Sequence, residues 1–246
     1  MQPRTSTAPL PKPERAQRGT GARSDFVRPK TAQQAVAEAL RQDITTGKLP
    51  PGSWIVQEAV AEQFGVSRIP IREALKTLEA EEYITYVPHS GYRVTKLSLT
   101  ELTEVFRLRN ILEEELIRDA MPRMTDAVVD EMRACMAEMD RAAAVGDLVA
   151  VGIANRRFHH LTFESSVMAR TKRIVNQLWN TADAYRPLYA HLMDLSRVNS
   201  EHVLMVDAMA ARDIELAVNL NTQHRAQSVE HLTLALGQEA AQASKS

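Results

Sequence analysis

No stretch of this 246-residue chain holds the roughly 18 consecutive apolar residues that a membrane-crossing helix needs, and no apolar leader precedes the first polar segments. Neither insertion nor export is expected, and the cytoplasm is the expected location. Cysteine is nearly absent. Cys135 alone excludes an intramolecular disulfide, and its phase with Met132 and Met139 assigns it to a core. An overall basic charge is missing too, since the net charge is -1, which looks wrong for a nucleic-acid partner until it is divided along the chain. Residues 1–30 hold Arg4, Lys12, Arg15, Arg18, Arg23, Arg28 and Lys30 against Glu14 and Asp25, residues 31–96 are near neutral, and the remainder is acidic. That first segment also carries Pro3, Pro9, Pro11, Pro13 and Pro29 with few large apolar residues, so a disordered tail is expected over 1–30. It reads either as an arm that seeks phosphates or as a solvated leader without a role. If it is an arm, deleting residues 1–25 weakens the hold on a phosphate-bearing partner and lowers its salt dependence. General disorder is excluded, because 44% hydrophobic and 25% charged residues are ordinary globular composition, with enough length for two domains.

What is present begins with GVSRIPIREAL at 65–75. Val60, Ala61 and Phe64 stand at helical spacing before it, and Gly65 supplies the tight corner of a helix-turn-helix. In the second helix Ser67 is the expected N-cap, Pro70 falls in the first turn where its missing N–H costs little, and Ile71, Leu75 and Leu78 form a buried stripe. Arg68 and Arg72 share a face that Lys76 extends, able to present guanidinium groups to guanine edges or phosphates. A surface helix pair with solvated arginines fits the same residues, but the flanks argue against it. Thr31–Thr46 reads as a helix carrying Val36, Ala39, Leu40 and Ile44, and LPPG at 49–52 ends the connection. Downstream, Tyr83–Val87 and Tyr92–Val94 read as a hairpin across Pro88, His89, Ser90 and Gly91.

Residues 31–94 thereby resemble the winged helix of GntR-type transcription regulators, on the PG turn, the GVSR-x-P-x-REAL helix and the P-x-x-G wing. The resemblance implies that Ser67, Arg68 and Arg72 approach an operator and that Gly91 lets the wing tip enter the minor groove. Ile69 stands where the family usually has Thr, and Ala59 where some members place Arg, so base preference is expected to differ. His89 fits either a phosphate contact or a turn position.

From Leu97 onward the pattern is helical, with six helices expected at about 100–121, 125–144, 147–163, 170–193, 198–211 and 213–236. Thr100 starts the first, Pro122 ends it, and Gly237 closes the last. The fold class is thus mainly α: a winged helix-turn-helix over 31–96, an all-α six-helix bundle over 97–237, and a polar tail over 238–246. Bundles build sites from inward-facing side chains on different helices. Asn155 and His159 are one turn apart, and His202 and His224 lie on two later helices among apolar neighbours. Three imidazoles and one oxygen ligand suit zinc, nickel or another borderline divalent ion, although spacing alone does not assemble a site.

NRRFHHL at 155–161, SEHVLMVDAM at 200–209 and LNTQHRAQ at 219–226 are similar to the metal-binding pattern of the FCD effector domain in the FadR subfamily of GntR regulators. The resemblance implies that Asn155, His159, His202 and His224 are the metal ligands, with zinc first and nickel or manganese as alternatives. The family more often has Asp at the first position. RLRNILEEE at 107–115 implies that Arg109 faces the same cavity, and a cation with a guanidinium suits a small carboxylate effector. His160, His191 and His231 are assigned to packing or surface. Trp54 and Trp179 are assigned to cores, with Trp179, Tyr185 and Tyr189 as candidate borders of the cavity. The expected function is a homodimeric regulator, a repressor by resemblance, that binds pseudo-palindromic operator DNA and responds to the carboxylate. Two alternatives are a metal-dependent enzyme domain, for which Glu164 and Asp207 make no convincing general base, and a regulator whose ion is structural.

Overall fold

Thr31 opens the first helix, α1 (Ala32–Thr45), with a reciprocal cap. Its hydroxyl accepts from the Gln34 N–H, and the Gln34 side chain accepts from the Thr31 N–H. A computed structural model describes the backbone of residues 30–243 and the side chains of residues 30–237. The tail expected over 1–30 lies, up to Pro29, outside the described residues, as does the end of the one expected over 238–246.

Beyond α1 come β1 (Trp54–Ile55), α2 (Gln57–Phe64), α3 (Arg68–Ala80) and the hairpin β2 (Ile84–Val87) and β3 (Gly91–Val94). Gly65 ends α2 at φ 63°, the left-handed conformation that turns the chain toward α3. Val36, Leu40 and Ile44 of α1 pack with Ile71, Leu75 and Leu78 of α3, all essentially without exposure. The sheet runs β1-β3-β2, antiparallel throughout, with Ile55 opposite Tyr92 and Ile84 opposite Val94. This is the expected winged helix, with one misplaced residue. Trp54 is 49% exposed instead of filling a core, because side chains alternate across a strand and Ile55 takes the inward position of this two-residue strand.

Six α-helices follow among the described residues: α4 (Leu99–Ala120), α5 (Asp126–Ala144), α6 (Leu148–Leu161), α7 (Ala169–Tyr189), α8 (Leu195–Ala210) and α9 (Ile214–Ala243). Their interior is built on Leu116, Ile117, Met132, Cys135, Phe158 and Met205. Cys135 packs with Met132 and Met139 as its phase requires. The ends differ from expectation in four places, one being α7, which stops at Tyr189 instead of 193 and gives way to a single 3-10 turn (Ala190–Leu192). Helix α4 starts at Ser98, which with Glu101 forms a reciprocal cap, so Thr100 is already inside. Asp194 caps α8 by accepting the N–H groups of Ser196 and Arg197, so this helix starts three residues early. Helix α9 runs through Gly237 to Ala243. Leu232 and Ala235 are buried just before that glycine, and their packing outweighs the roughly 1 kcal/mol that an internal Gly costs.

Helix α7 is the seam between the two parts. Gln177 donates to the Ala80 carbonyl (3.2 Å) and Asn180 to the Glu81 carbonyl (2.9 Å), both at the C-terminal end of α3. The Tyr185 hydroxyl accepts the Leu97 N–H at 2.5 Å, at the entry to α4. Pro187 seats against Gly47, where an added Cβ would lie 2.9 Å from the proline Cβ and the backbone has φ +79°. A side chain at position 47 is therefore opposed by both space and conformation.

Candidate nucleic-acid interface and metal centre

Burying Ile71, Leu75 and Leu78 turns the opposite face of α3 outward. Arg68 and Lys76 are more than 60% exposed there, Arg72 is exposed beside them, and Ile69 is 73% exposed. Arg68 is held 3.1 Å from Glu58 of α2, and Lys76 lies 3.6 Å from Glu73, both as surface pairs. Ser67 has the extended backbone of an N-cap, but its side chain makes no capping hydrogen bond. Its hydroxyl is exposed, on the side of the helix where the arginines begin. In the wing, His89 (φ 64°) and Gly91 (φ 100°) are both left-handed, and His89 is exposed. His89 is therefore a turn residue at an accessible tip.

The second candidate lies inside the bundle. Asn155 and His159 of α6, His202 of α8 and His224 of α9 are all at least nine-tenths buried. One ligand atom from each of the three histidines lies within 4.8 Å of the others. The ring centroids are 5.3 Å apart for His159 and His202, 5.0 Å for His159 and His224, and 4.7 Å for His202 and His224. The His159 Nδ1 and both His202 ring nitrogens are buried without a hydrogen-bond partner among the described residues. Burial, reinforced by the neighbouring imidazoles, holds His159 and His202 well below the ordinary histidine pKa, so both stay neutral with lone pairs available. Buried polar atoms are ordinarily paired, and one ring nitrogen from each of three histidines, two of whose rings carry orphan nitrogens, forms a donor set that fits a divalent ion.

Glu201 was not legible in the sequence. Its Oε2 lies 2.9 Å from His224 Nδ1, and the carboxylate also accepts from Arg197 and Gln227. A carboxylate that accepts from Nδ1–H sets the tautomer whose Nε2 lone pair is free to act as a ligand. Arg109 lines the cavity with Asn155, His159 and His224, as the resemblance implied. Its guanidinium is already engaged: it stacks 3.7 Å from the Trp179 ring centroid and donates to Glu113 at 3.2 Å. Glu113, fully buried, also accepts from Trp179 Nε1 (2.9 Å) and from Arg225. Burial pushes the Arg225 pKa down to about 10 against the opposing pull of Glu113. Trp179 and Tyr189 border the cavity, whereas Tyr185 points to Leu97 instead.

One further connection leads out of this site. Arg156, next to Asn155, bonds Asp183 (2.5 Å), Asn176 (2.6 Å) and Asn180 (2.8 Å), and Asn180 holds the Glu81 carbonyl at the end of α3.

The chain matches two family models: "Bacterial regulatory proteins, gntR family" over residues 32–94 and "FCD domain" over residues 104–227. It is 27% identical over 144 residues to the HTH-type transcriptional regulator McbR of Escherichia coli, covering 58% of this chain and 65% of that protein. It is 28% identical to the uncharacterized HTH-type transcriptional regulator BphR of Paraburkholderia xenovorans (80% and 83% covered) and 26% identical to the HTH-type transcriptional repressor GlaR of E. coli (75% and 88%). The solved structure of E. coli McbR/YncC superposes with a TM-score of 0.75 at 22% identity, over 84% of this chain and 99% of that one, and shares its fold. These relatives are regulators rather than enzymes. A winged helix with an outward-facing arginine pair, a helical bundle around a histidine cluster and both family matches together identify this chain as a DNA-binding transcription regulator of the GntR family, with a C-terminal FCD domain.

Proposed function

We propose that this regulator represses transcription as a cytoplasmic homodimer on a pseudo-palindromic operator, and that a small carboxylate at a divalent ion alters its grip. The observation that carries the reading is the trio His159, His202 and His224, buried beside the Arg109 guanidinium, with unpartnered nitrogens on His159 and His202. With Asn155 they would hold the ion, zinc first and nickel or manganese as alternatives. Such an ion supplies a Lewis-acidic position that accepts a carboxylate oxygen. The protein does the rest: Glu201 orients His224, Glu113 steadies Arg109 over Trp179, and the buried rings keep water out. On the DNA side, Arg68, Arg72 and Lys76 supply base and phosphate contacts, and two half-sites double them.

The path from Asn155 through Arg156 and Asn180 to the Glu81 carbonyl supports coupling between the halves, because a shift of α6 bears on the end of α3. A coupling of about 1–3 kcal/mol changes operator affinity roughly 5–150-fold. The test is metal analysis of the untagged full-length protein and of a His159→Ala, His202→Ala double variant, followed by operator titration with a carboxylate panel. The reading expects about one ion per wild-type chain, none in the variant, and a carboxylate-dependent change in affinity. An ion-free wild type, or affinity that no carboxylate changes, would overturn it.

A further inference from the structure

Arg68, the first residue of α3, is tied across the corner of the helix-turn-helix. One terminal nitrogen of its guanidinium lies 3.1 Å from Glu58 Oε1, in the first turn of α2. Both side chains are more than half exposed, beside Ser67, whose hydroxyl is exposed and caps nothing. Arg72, one turn along α3, has no ion pair among the described residues. The N-terminal residue of the second helix is thus the one whose guanidinium is held by an acid of the first, at the place where such helices meet base edges.

An exposed ion pair adds little to stability, so folding gives scant reason for a carboxylate here. Binding to DNA in general gives a reason against it. Phosphates repel a negative side chain on this face whatever the sequence, and that cost is offset only where a base edge offers it a hydrogen-bond donor. Across the major groove a G·C pair presents the acceptors N7 and O6 of guanine and then the N4 amino donor of cytosine, whereas an A·T pair presents acceptor, donor, acceptor. Arg68 and Glu58 together carry the complement of the first pattern: a fork of N–H donors beside a carboxylate acceptor. Among the described residues Glu58 Oε2 accepts no hydrogen bond, and Arg68 donates none from Nε or its other terminal nitrogen, so these groups remain for a base pair.

We propose that Glu58 is a specificity-determining residue, and that Glu58 and Arg68 together read both bases of one G·C pair in each half-site. Arg68 donates to guanine N7 and O6, and Glu58 accepts from the cytosine N4 amino group. This rests on the placement of Arg68 at the operator given above. Glu58 then discriminates rather than adding grip. With A·T in that place, Arg68 meets the adenine amino group and Glu58 the thymine O4, so both contacts turn repulsive.

The test is selection by full-length protein from a duplex library of random sequence, followed by titration of the selected duplex, its single-base-pair variants and random duplex. In the wild type, replacing one G·C pair of the half-site with A·T should weaken binding about tenfold or more, about 1.4 kcal/mol. In Glu58→Ala that penalty should fall below about threefold, while binding to random duplex tightens because a charge repelled by phosphates is gone. Glu58→Gln keeps an amide oxygen as acceptor and should retain part of the penalty. Arg68→Ala should remove the same penalty, and the double variant should lose no more discrimination than either single one, because the two side chains act as a unit. Melting temperatures of all four should stay near that of the wild type. A wild type with no such G·C position, a Glu58→Ala penalty equal to the wild type's, or a Glu58→Ala loss that is the same on selected and random duplex overturns the proposal and leaves Glu58 as a support for the first turn of α2. The Arg68 variant separates the two readings. Arg68→Ala without effect on affinity or discrimination refutes the placement on which the proposal rests, whereas lost discrimination in Arg68→Ala beside an unaffected Glu58→Ala refutes Glu58 alone.

Discussion

Replacing Glu113 with Gln keeps the shape of the side chain and removes the one negative charge that two buried guanidiniums share. In the native protein this carboxylate has no exposure and accepts from Arg109, Arg225 and Trp179. Breaking a buried pair by removing one partner costs about 3–5 kcal/mol, because the other charge is left without compensation. For a protein of this size each kcal/mol moves the melting temperature by about 2–4 °C, so Glu113→Gln should lower it by roughly 6–20 °C in a neutral-pH thermal melt. Combining it with Arg225→Met should recover part of the loss, since one stranded charge disappears. The pH dependence follows from the same contacts. Burial alone would raise the Glu113 pKa, but the charges of Arg225 and Arg109 hold it below the ordinary carboxylate value. A carboxyl depressed in the folded state contributes stability above its unfolded pKa and loses it as pH falls through the folded value. The gap between wild type and variant should therefore be full at neutral pH and should close below about pH 4. A melting temperature within about 2 °C of wild type, or a gap that persists unchanged in acid, would refute the reasoning.

Other consequences can be checked independently. Glu201→Gln should weaken zinc binding by about 10–100-fold in a chelator competition without emptying the site, because the His224 ring loses its orienting acceptor. Arg68→Ala should cost about 1–3 kcal/mol at a guanine-containing half-site if Arg68 reads the base, and should instead lower the salt slope by about one if it meets phosphate; unchanged operator binding removes Arg68 from the interface. Asn180→Leu breaks the link from Arg156 to the Glu81 carbonyl, so the difference in operator affinity with and without zinc should shrink while zinc content is retained. An undiminished difference would assign the coupling to another route.

The fold was legible wherever a local rule decided it. Gly65, the Ile71, Leu75 and Leu78 stripe and the hairpin around Gly91 each follow from turn chemistry or periodicity, and each stands as read. The failures came where a local signal met a competitor. Trp54 reads as core by size, yet Ile55 holds the inward register, and Gly237 reads as a stop, yet α9 continues beyond buried Leu232 and Ala235. The candidate site was half legible. Similarity identified the three histidines, whereas Glu201, 23 residues from the ring it holds, has no spacing rule to betray it. Glu113 was within reach, four residues after Arg109 on one helix. Arg225 needed the packing of α4, α7 and α9 around one cavity.

The exposure of Ile69 bears on how such a regulator diverges. The side chain is 73% exposed on the side of α3 proposed to meet the operator and contributes almost nothing to the core of the winged helix. Substitution there is nearly neutral for stability, since exposed positions away from caps and networks usually stay within about 0.5 kcal/mol. The same position projects an apolar group suited to the methyl of thymine. A duplicated copy of this gene can therefore acquire a new set of target promoters through this codon while its folding and its sensing half stay intact.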